Sequence, residues 1–307
     1  MSRYIIRRLI YSVVVIFGVS VFVFVITHLV GDPAAQMLPL NSPPEEYERI
    51  RHLLGLDRPV LVQLYHFLAD ALKGDFGYSF WQRQPALPVV LERLPATLQL
   101  VFAAFAIAIF VSLPLGILAS IRPGSLLDRF CVTISLLGMS IPEFCLGFIL
   151  IIVFAVQLGW LPTSGYHGGG LYLILPALAL SGRYIGRLTQ IVRSSMIDEM
   201  NKPYMVTARA KGLRESAVIV RHALRNAAIP TVTLAGWALG RLMGGLTVLV
   251  ETVFAWPGVG HLAKEAIARR DFPLLQADVF VVALLITSLN LIVDILYAFV
   301  DPRVKYE

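Results

Sequence analysis

Tyr204–Pro230, YMVTARAKGLRESAVIVRHALRNAAIP, is a basic stretch set between two long apolar runs of a 307-residue chain. Val218, Ile219, Ala223 and Leu224 recur near helical spacing, so part of it reads as an amphipathic helix. Asn201 and Pro203 supply a helix start, and Gly212 a break between two helical pieces. Two roles fit a short basic helix in this position. It rests on lipid headgroups, or it grips another protein at the membrane surface.

Outward from that stretch, the chain is 57% hydrophobic and 15% charged, with a mean hydropathy of +0.74. Soluble domains carry roughly 25% charged residues, so this is the composition of a membrane protein. The net charge of +6 is then the excess expected of cytoplasmic loops, and nucleic acid is not the implied partner. Cys131 and Cys145 stand fourteen positions apart in one apolar run, about 21 Å along a helix, too far to pair.

Arg3, Arg7 and Arg8 precede the apolar run Ile10–Leu29, which is long enough to span a bilayer. It reads as a retained first helix with its N-terminus in the cytoplasm, not as a removed signal peptide. Five more spans follow: Leu98–Ile121, Cys131–Leu158, Leu171–Val192, Ile229–Val250 and Val279–Val300. The fold class is therefore all-α and polytopic, with six transmembrane helices. Segment Gly31–Arg93 carries six basic against eight acidic residues, the balance of a translocated loop. Within it, Pro43-Pro44-Glu45-Glu46 opens a short helix that Gly55 closes, and Val60–Lys73 reads as a second. This segment caps the outer helix ends or meets a substrate-delivering protein, and one loop serves for both. Arg193–Ala228 carries seven basic against three acidic residues, while Gly159–Gly170 has no charge. That asymmetry puts both termini in the cytoplasm. The expected organisation is residues 1–30 as N-terminus and first helix, and 31–93 as extracytoplasmic loop. Residues 94–300 form the main membrane domain, including loop 204–230, and 301–307 a cytoplasmic tail.

No catalytic constellation appears. A P-loop needs a Gly-Lys pair so that backbone amides cradle phosphate while lysine reaches the outer oxygens, and the chain contains none. Energy for any pumping must come from a partner. The six histidines are scattered without metal-ligand spacing. Four spans carry charge: Glu143 after Pro142, Arg183 with Arg187 four residues on, Arg241, and Asp294. An ionisable group at membrane depth costs roughly 2.5–3.5 kcal/mol on insertion scales, so it should face the bundle interior or a wet cavity. Glu143, Arg183 and Arg241 either line a path for a hydrophilic solute or pair internally. Arg187 reads as snorkelling to the cytoplasmic surface. Trp256, in the turn Glu251–Gly260 that leaves the fifth span, is a gate or an interface anchor.

Thr207-Ala208-Arg209-Ala210-Lys211-Gly212-Leu213, then Arg221–Ala227 and Ile229-Pro230, resembles the EAA loop of ABC importer permeases, in the form found in the peptide/nickel permease family. Val206 stands where the general pattern is acidic, and the Ile-Pro end comes later after the glycine. Both departures resemble the peptide-family variant. Similar likenesses run in order along the whole chain: Gly31-Asp32-Pro33, Leu54–Pro59, Gly74–Gly77, Leu94–Thr97, Trp160–Pro162, Leu175–Ala177, Glu251–Gly260, Arg270–Pro273 and Asn290–Tyr306.

The resemblance implies a type I ABC importer transmembrane-domain fold in the bacterial cytoplasmic (inner) membrane. It implies that Thr207, Ala208, Arg209, Ala210, Lys211, Gly212, Leu213 and Arg214 couple the chain to an ATPase. The implied partners are a second homologous permease, two cytoplasmic ATPase subunits, an extracytoplasmic substrate-binding protein and membrane lipid. No cofactor is expected on this chain, ATP being bound by the ATPases. Di- or oligopeptides, including glutathione, are the first substrate implied, and nickel or a metal chelate the second. A self-sufficient secondary transporter or channel is the alternative of another class. The basic loop and the lack of a detectable inverted repeat speak against it.

Overall fold

A computed structural model describes residues 2–30, 34, 38, 43–53, 55–166, 169–244 and 246–300. The Gly31-Asp32-Pro33 motif, Leu54, His167, Gly168 and the expected tail 301–307 lie outside them. The chain folds as helices: α1 Ser2–Val30, α2 Pro44–Leu53, α3 Val60–Leu72, α4 Ala86–Ile121, α5 Leu126–Ser140 and α6 Glu143–Leu150. Helix α6 continues in a π-helical segment Ile151–Gln157. Next come α7 Leu171–Met200, α8 Pro203–Ala210, α9 Glu215–Ala217, a second π-helical segment Val218–Ala223, α10 Leu224–Leu242, α11 Leu246–Val253, α12 Val259–Ala268 and α13 Phe272–Val300. The one β pairing among the described residues is an isolated bridge between Tyr78 and Pro85. Both short helices read from Gly31–Arg93 are present, and Gly55 closes the first at φ +67°.

Two compact units divide the chain: Met1–Thr97 with Pro257–Ser288, and Leu98–Trp256 with Leu289–Glu307. In the first, Phe76, Val89, Val90, Val259, Leu262, Leu274 and Val281 form the apolar core. Asp271, 1% exposed, organises its polar interior. One carboxylate oxygen accepts from Ser79 Oγ at 2.5 Å and from the Trp81 N–H at 3.0 Å, and the other accepts the Leu274 N–H at 3.2 Å. The carboxylate thus occupies an orphan donor at the start of α13 and fastens the Ser79–Trp81 turn there. Gln63 plays a similar part near α1. Its amide donates to the Leu56 and Arg58 carbonyls, and its oxygen accepts from His28 Nε2 at 2.7 Å.

In the second unit, glycines set the helix spacing. A Cβ on Gly186 of α7 would lie 2.3 Å from the Ser135 carbonyl oxygen of α5, and one on Gly138 would lie 2.8 Å from the Gly182 carbonyl. Backbones this close leave no room for a side chain, so α5 and α7 meet along their glycine faces.

Two expected spans are not single straight helices. Cys131–Leu158 is interrupted at Ile141-Pro142, where Leu126–Ser140 and Glu143–Gln157 turn by 108°. Proline offers no N–H to the ladder and drives the preceding residue extended, as Ile141 is at ψ 123°. Glu143 therefore opens a helix and does not sit midway along one, and the two free cysteines are not strung along one axis. Within Ile229–Val250, Pro230–Leu242 and Thr247–Val253 are bent by 57°. Among the described residues, three helices are long and apolar enough to cross a membrane, or five with each bent pair as one span. The remaining expected span, Leu171–Val192, lies in α7, whose 30 residues give about 45 Å of helix but carry Arg183, Arg187 and Arg193.

Candidate functional site

The basic loop folds as read, with one shift at its start: Lys202 is the N-cap of α8 and Pro203 its first residue. Nine residues on, Gly212 ends the helix at φ +76°. Its N–H reaches the Arg209 carbonyl at 2.9 Å, closing the helix with a left-handed residue as helix ends favour. A Cβ on Gly212 would meet nothing within 4 Å, so backbone conformation and not crowding calls for glycine here.

The chain then returns through Val218, Ile219, Ala223 and Ala227. These pack on Met205 and Ala208 of α8 and on Val192 and Met196 of α7. The apolar face read at Val218, Ile219 and Ala223 is thus buried in the chain's own core. Ala208 belongs to that core, while Thr207, Arg209, Ala210, Lys211, Gly212, Leu213 and Arg214 are exposed.

Two ion-pair clusters brace the turn. Arg209 binds Glu215 across it, Nη2 to Oε1 at 2.9 Å, and this hydrogen bond holds the Glu215 carboxyl below the ordinary range. Tyr204 donates to Glu199 at 2.5 Å and accepts from Asn226 Nδ2 at 2.9 Å. Lys202 pairs with Glu199 as well. Burial alone would raise the Glu199 carboxyl, but the hydrogen bonds from Lys202 and Tyr204 outweigh it and the group sits below its usual value. The Tyr204 phenol is raised, by burial first and by donating to Glu199 second.

The charges within the expected spans form a second cluster. Glu143 is 3% exposed, with Arg183 Nε 2.8 Å from its Oε1. That oxygen accepts no well-aimed hydrogen bond, so the contact is a Coulombic ion pair. Buried Tyr184 has Arg241, Glu143 and Arg183 as its charged neighbours. Arg187 and Arg241 both lie against Trp237, each guanidinium carbon 4.8 Å from the ring centroid. Arg183, Arg187 and Arg241 are all exposed. Glu143, Arg183 and Arg241 are therefore brought together around Tyr184, and Trp256 has its ring contact elsewhere, with Tyr166. Its indole is 1% exposed and stands edge-on to Tyr166 at 4.8 Å. Trp237 escaped the sequence reading, and Arg187 was read as snorkelling. Their signal was spacing: Arg183 and Arg187, like Trp237 and Arg241, are four apart on one helical face.

Comparison with known proteins places these features. Residues 112–306 match the family described as binding-protein-dependent transport system inner membrane component, and residues 1–101 match the N-terminal model of such membrane components. The glutathione transport system permease protein GsiC of Escherichia coli (strain K12) is 39% identical over 308 residues, covering 100% of each chain. The protein of that name from Shigella dysenteriae serotype 1 (strain Sd197) is similar to the same extent. An all-helical chain with membrane-length apolar helices and an exposed basic loop, matched along its length in this way, belongs to the family of binding-protein-dependent transport system inner membrane components, the permease subunits of ABC importers.

Proposed function

We propose that this permease crosses the membrane six times with both termini in the cytoplasm, and forms half of an import path for di- or oligopeptides, glutathione among them. Helix α7 supplies the fourth of these spans, with Arg183 turned to Glu143 and Arg187 to Trp237. A second homologous permease completes the path, two ATPases dock beneath, and a binding protein delivers solute from outside. Thr207–Arg214 is the coupling element.

The observation that carries this reading is the outer face of the loop. Its inner face is spent on the core, yet Val206, Leu213 and Val220 remain 64%, 43% and 61% exposed among Arg209, Lys211 and Arg214. Apolar side chains ringed by cations fit a protein cleft better than water. Glutathione as solute rests on the curated relatives and on the cationic cluster of α7 and α10.

The test is uptake of labelled glutathione into proteoliposomes holding the complete complex, with nickel in parallel. We expect ATP-dependent glutathione uptake that requires the binding protein. Uptake that persists without ATPase subunits would make the chain a secondary transporter and overturn the reading. Orientation is tested by impermeant-thiol labelling of Glu46→Cys and Ser216→Cys in a chain lacking Cys131 and Cys145. Labelling of the second but not the first from outside would reverse the topology.

A further inference from the structure

The glycine contact between α5 and α7 fixes how α7 is turned. Gly182 and Gly186 are pressed against α5 and α6, with a Cβ at Gly182 lying 2.5 Å from Leu146 Cδ2. Arg183 and Arg187 each follow one of these glycines, so they stand about 100° further round the axis. There they are exposed, beside α10. Helix α10 supplies Trp237 and Arg241 to the same place.

The charges there do not balance. Glu143 pairs with Arg183. Among the described residues no carboxylate pairs with Arg187 or Arg241, each of which lies over the Trp237 ring. Stacking on tryptophan holds a guanidinium plane still and weakens its demand for water, but it supplies no counter-charge. A stacked guanidinium keeps its edge N–H groups free, and those edges match the two oxygens of a carboxylate. Tyr184, buried beside them, adds a hydroxyl. Two guanidiniums fixed on one ring without an anion are half of an ion-binding site.

We propose that Arg187, Arg241 and Trp237 form a binding site for a carboxylate group of the translocated solute, with Arg183 held at its margin by Glu143. The inference rests on the permease reading and adds to it a recognised chemical group. A peptide carries a C-terminal carboxylate whatever its side chains, so such a site accepts many peptides while rejecting their esters and amides. Glutathione carries two.

The test uses the complete complex in nanodiscs of phosphatidylcholine, where no lipid anion competes. Tryptophan emission is followed while titrating glutathione or glutathione diethyl ester, which keeps the peptide but neutralises both carboxylates. We expect a saturable change with the acid, at least tenfold weaker binding of the ester, and loss of the signal in Trp237→Phe. Arg187→Gln and Arg241→Gln should each raise the half-saturating concentration of the acid about tenfold and leave the ester unaffected, with Arg187→Lys in between. Equal binding of acid and ester by the unaltered complex would overturn the proposal without any variant. So would glutamine variants that bind the acid normally, or variants that shed the second permease, which would assign these arginines to the subunit contact. ATP-driven uptake of glutathione separates the two readings. Acid-selective binding without uptake leaves the site and removes the importer assignment for glutathione. Uptake without acid selectivity removes the site alone.

Discussion

The Asp128 carboxylate receives the Arg193 guanidinium as a fork, Oδ1 from Nε at 2.5 Å and Oδ2 from Nη2 at 2.8 Å, across 65 positions of sequence. Oδ2 also accepts the Gly124 N–H at 2.7 Å, so the turn before α5 and the later part of α7 are fastened through one side chain. Asp128 is 3% exposed, and the Arg193 side chain keeps a quarter of its exposure.

Asp128→Asn should therefore destabilise the second unit by about 2 kcal/mol, the loss of a charge-assisted pair at a largely buried site. Arg193→Lys keeps the charge but loses the fork, and should cost less. Thermal unfolding of the detergent-solubilised chain measures both. Equal midpoints for the two variants would mean that the fork geometry, and not the charge, carries the contribution.

Glycine substitutions should divide by what their Cβ meets. Gly186→Ala drives a methyl to 2.3 Å from a backbone oxygen of α5. It should cost on the order of 1–3 kcal/mol as the helices are forced apart. Gly170→Ala meets nothing within 4 Å, at a φ of −56°, and should leave the unfolding midpoint where it is. A larger loss at Gly170 than at Gly186 would refute the close-approach account of α5 and α7.

Substitutions at Gly212 separate folding from the proposed coupling role. At φ +76° with open space around it, any side chain costs roughly 1–2 kcal/mol of backbone strain and little more for bulk. Gly212→Ala and Gly212→Trp should thus unfold at nearly the same temperature. ATP-driven uptake should fall much further for Trp, whose indole projects where the ATPase would sit. Uptake equal in the two variants would show that nothing docks at this turn.

The loop should loosen in acid. Glu199 and Glu215 titrate below the ordinary glutamate value, about 4.3 in an unfolded chain. A carboxyl depressed by folding adds stability that is complete above the unfolded value and is lost as the pH falls through the folded one. The midpoint should be flat from pH 8 to about 5 and fall below about 4, with a smaller step in Glu199→Gln. A midpoint that rises on acidification would contradict the pairing.

Much of this protein is legible along one dimension. Composition and run length identify a helical membrane protein because the hydrocarbon layer needs length and apolarity, which are local quantities. Helical periodicity located the buried face of Val218, Ile219 and Ala223, and the Gly212 break follows from the left-handed conformation that glycine adopts at least cost. Pro142 stands inside a run that reads as one span, and the 108° turn made there depends on how α5 and α6 pack against α7.

The pairings belonged to the tertiary structure. Arg193 counted in the sequence as one more loop cation, and its partner stands 65 positions earlier. Along the sequence nothing joins Arg187 to Trp237 or Arg241, and it is α10 that brings them beside it; the edge-on contact of Tyr166 with Trp256 likewise joins residues 90 positions apart. Spacing along a helix says which residues share a face. Which neighbour that face meets is set by the rotation of each helix about its axis, and here glycine contacts between backbones far apart in sequence set that rotation.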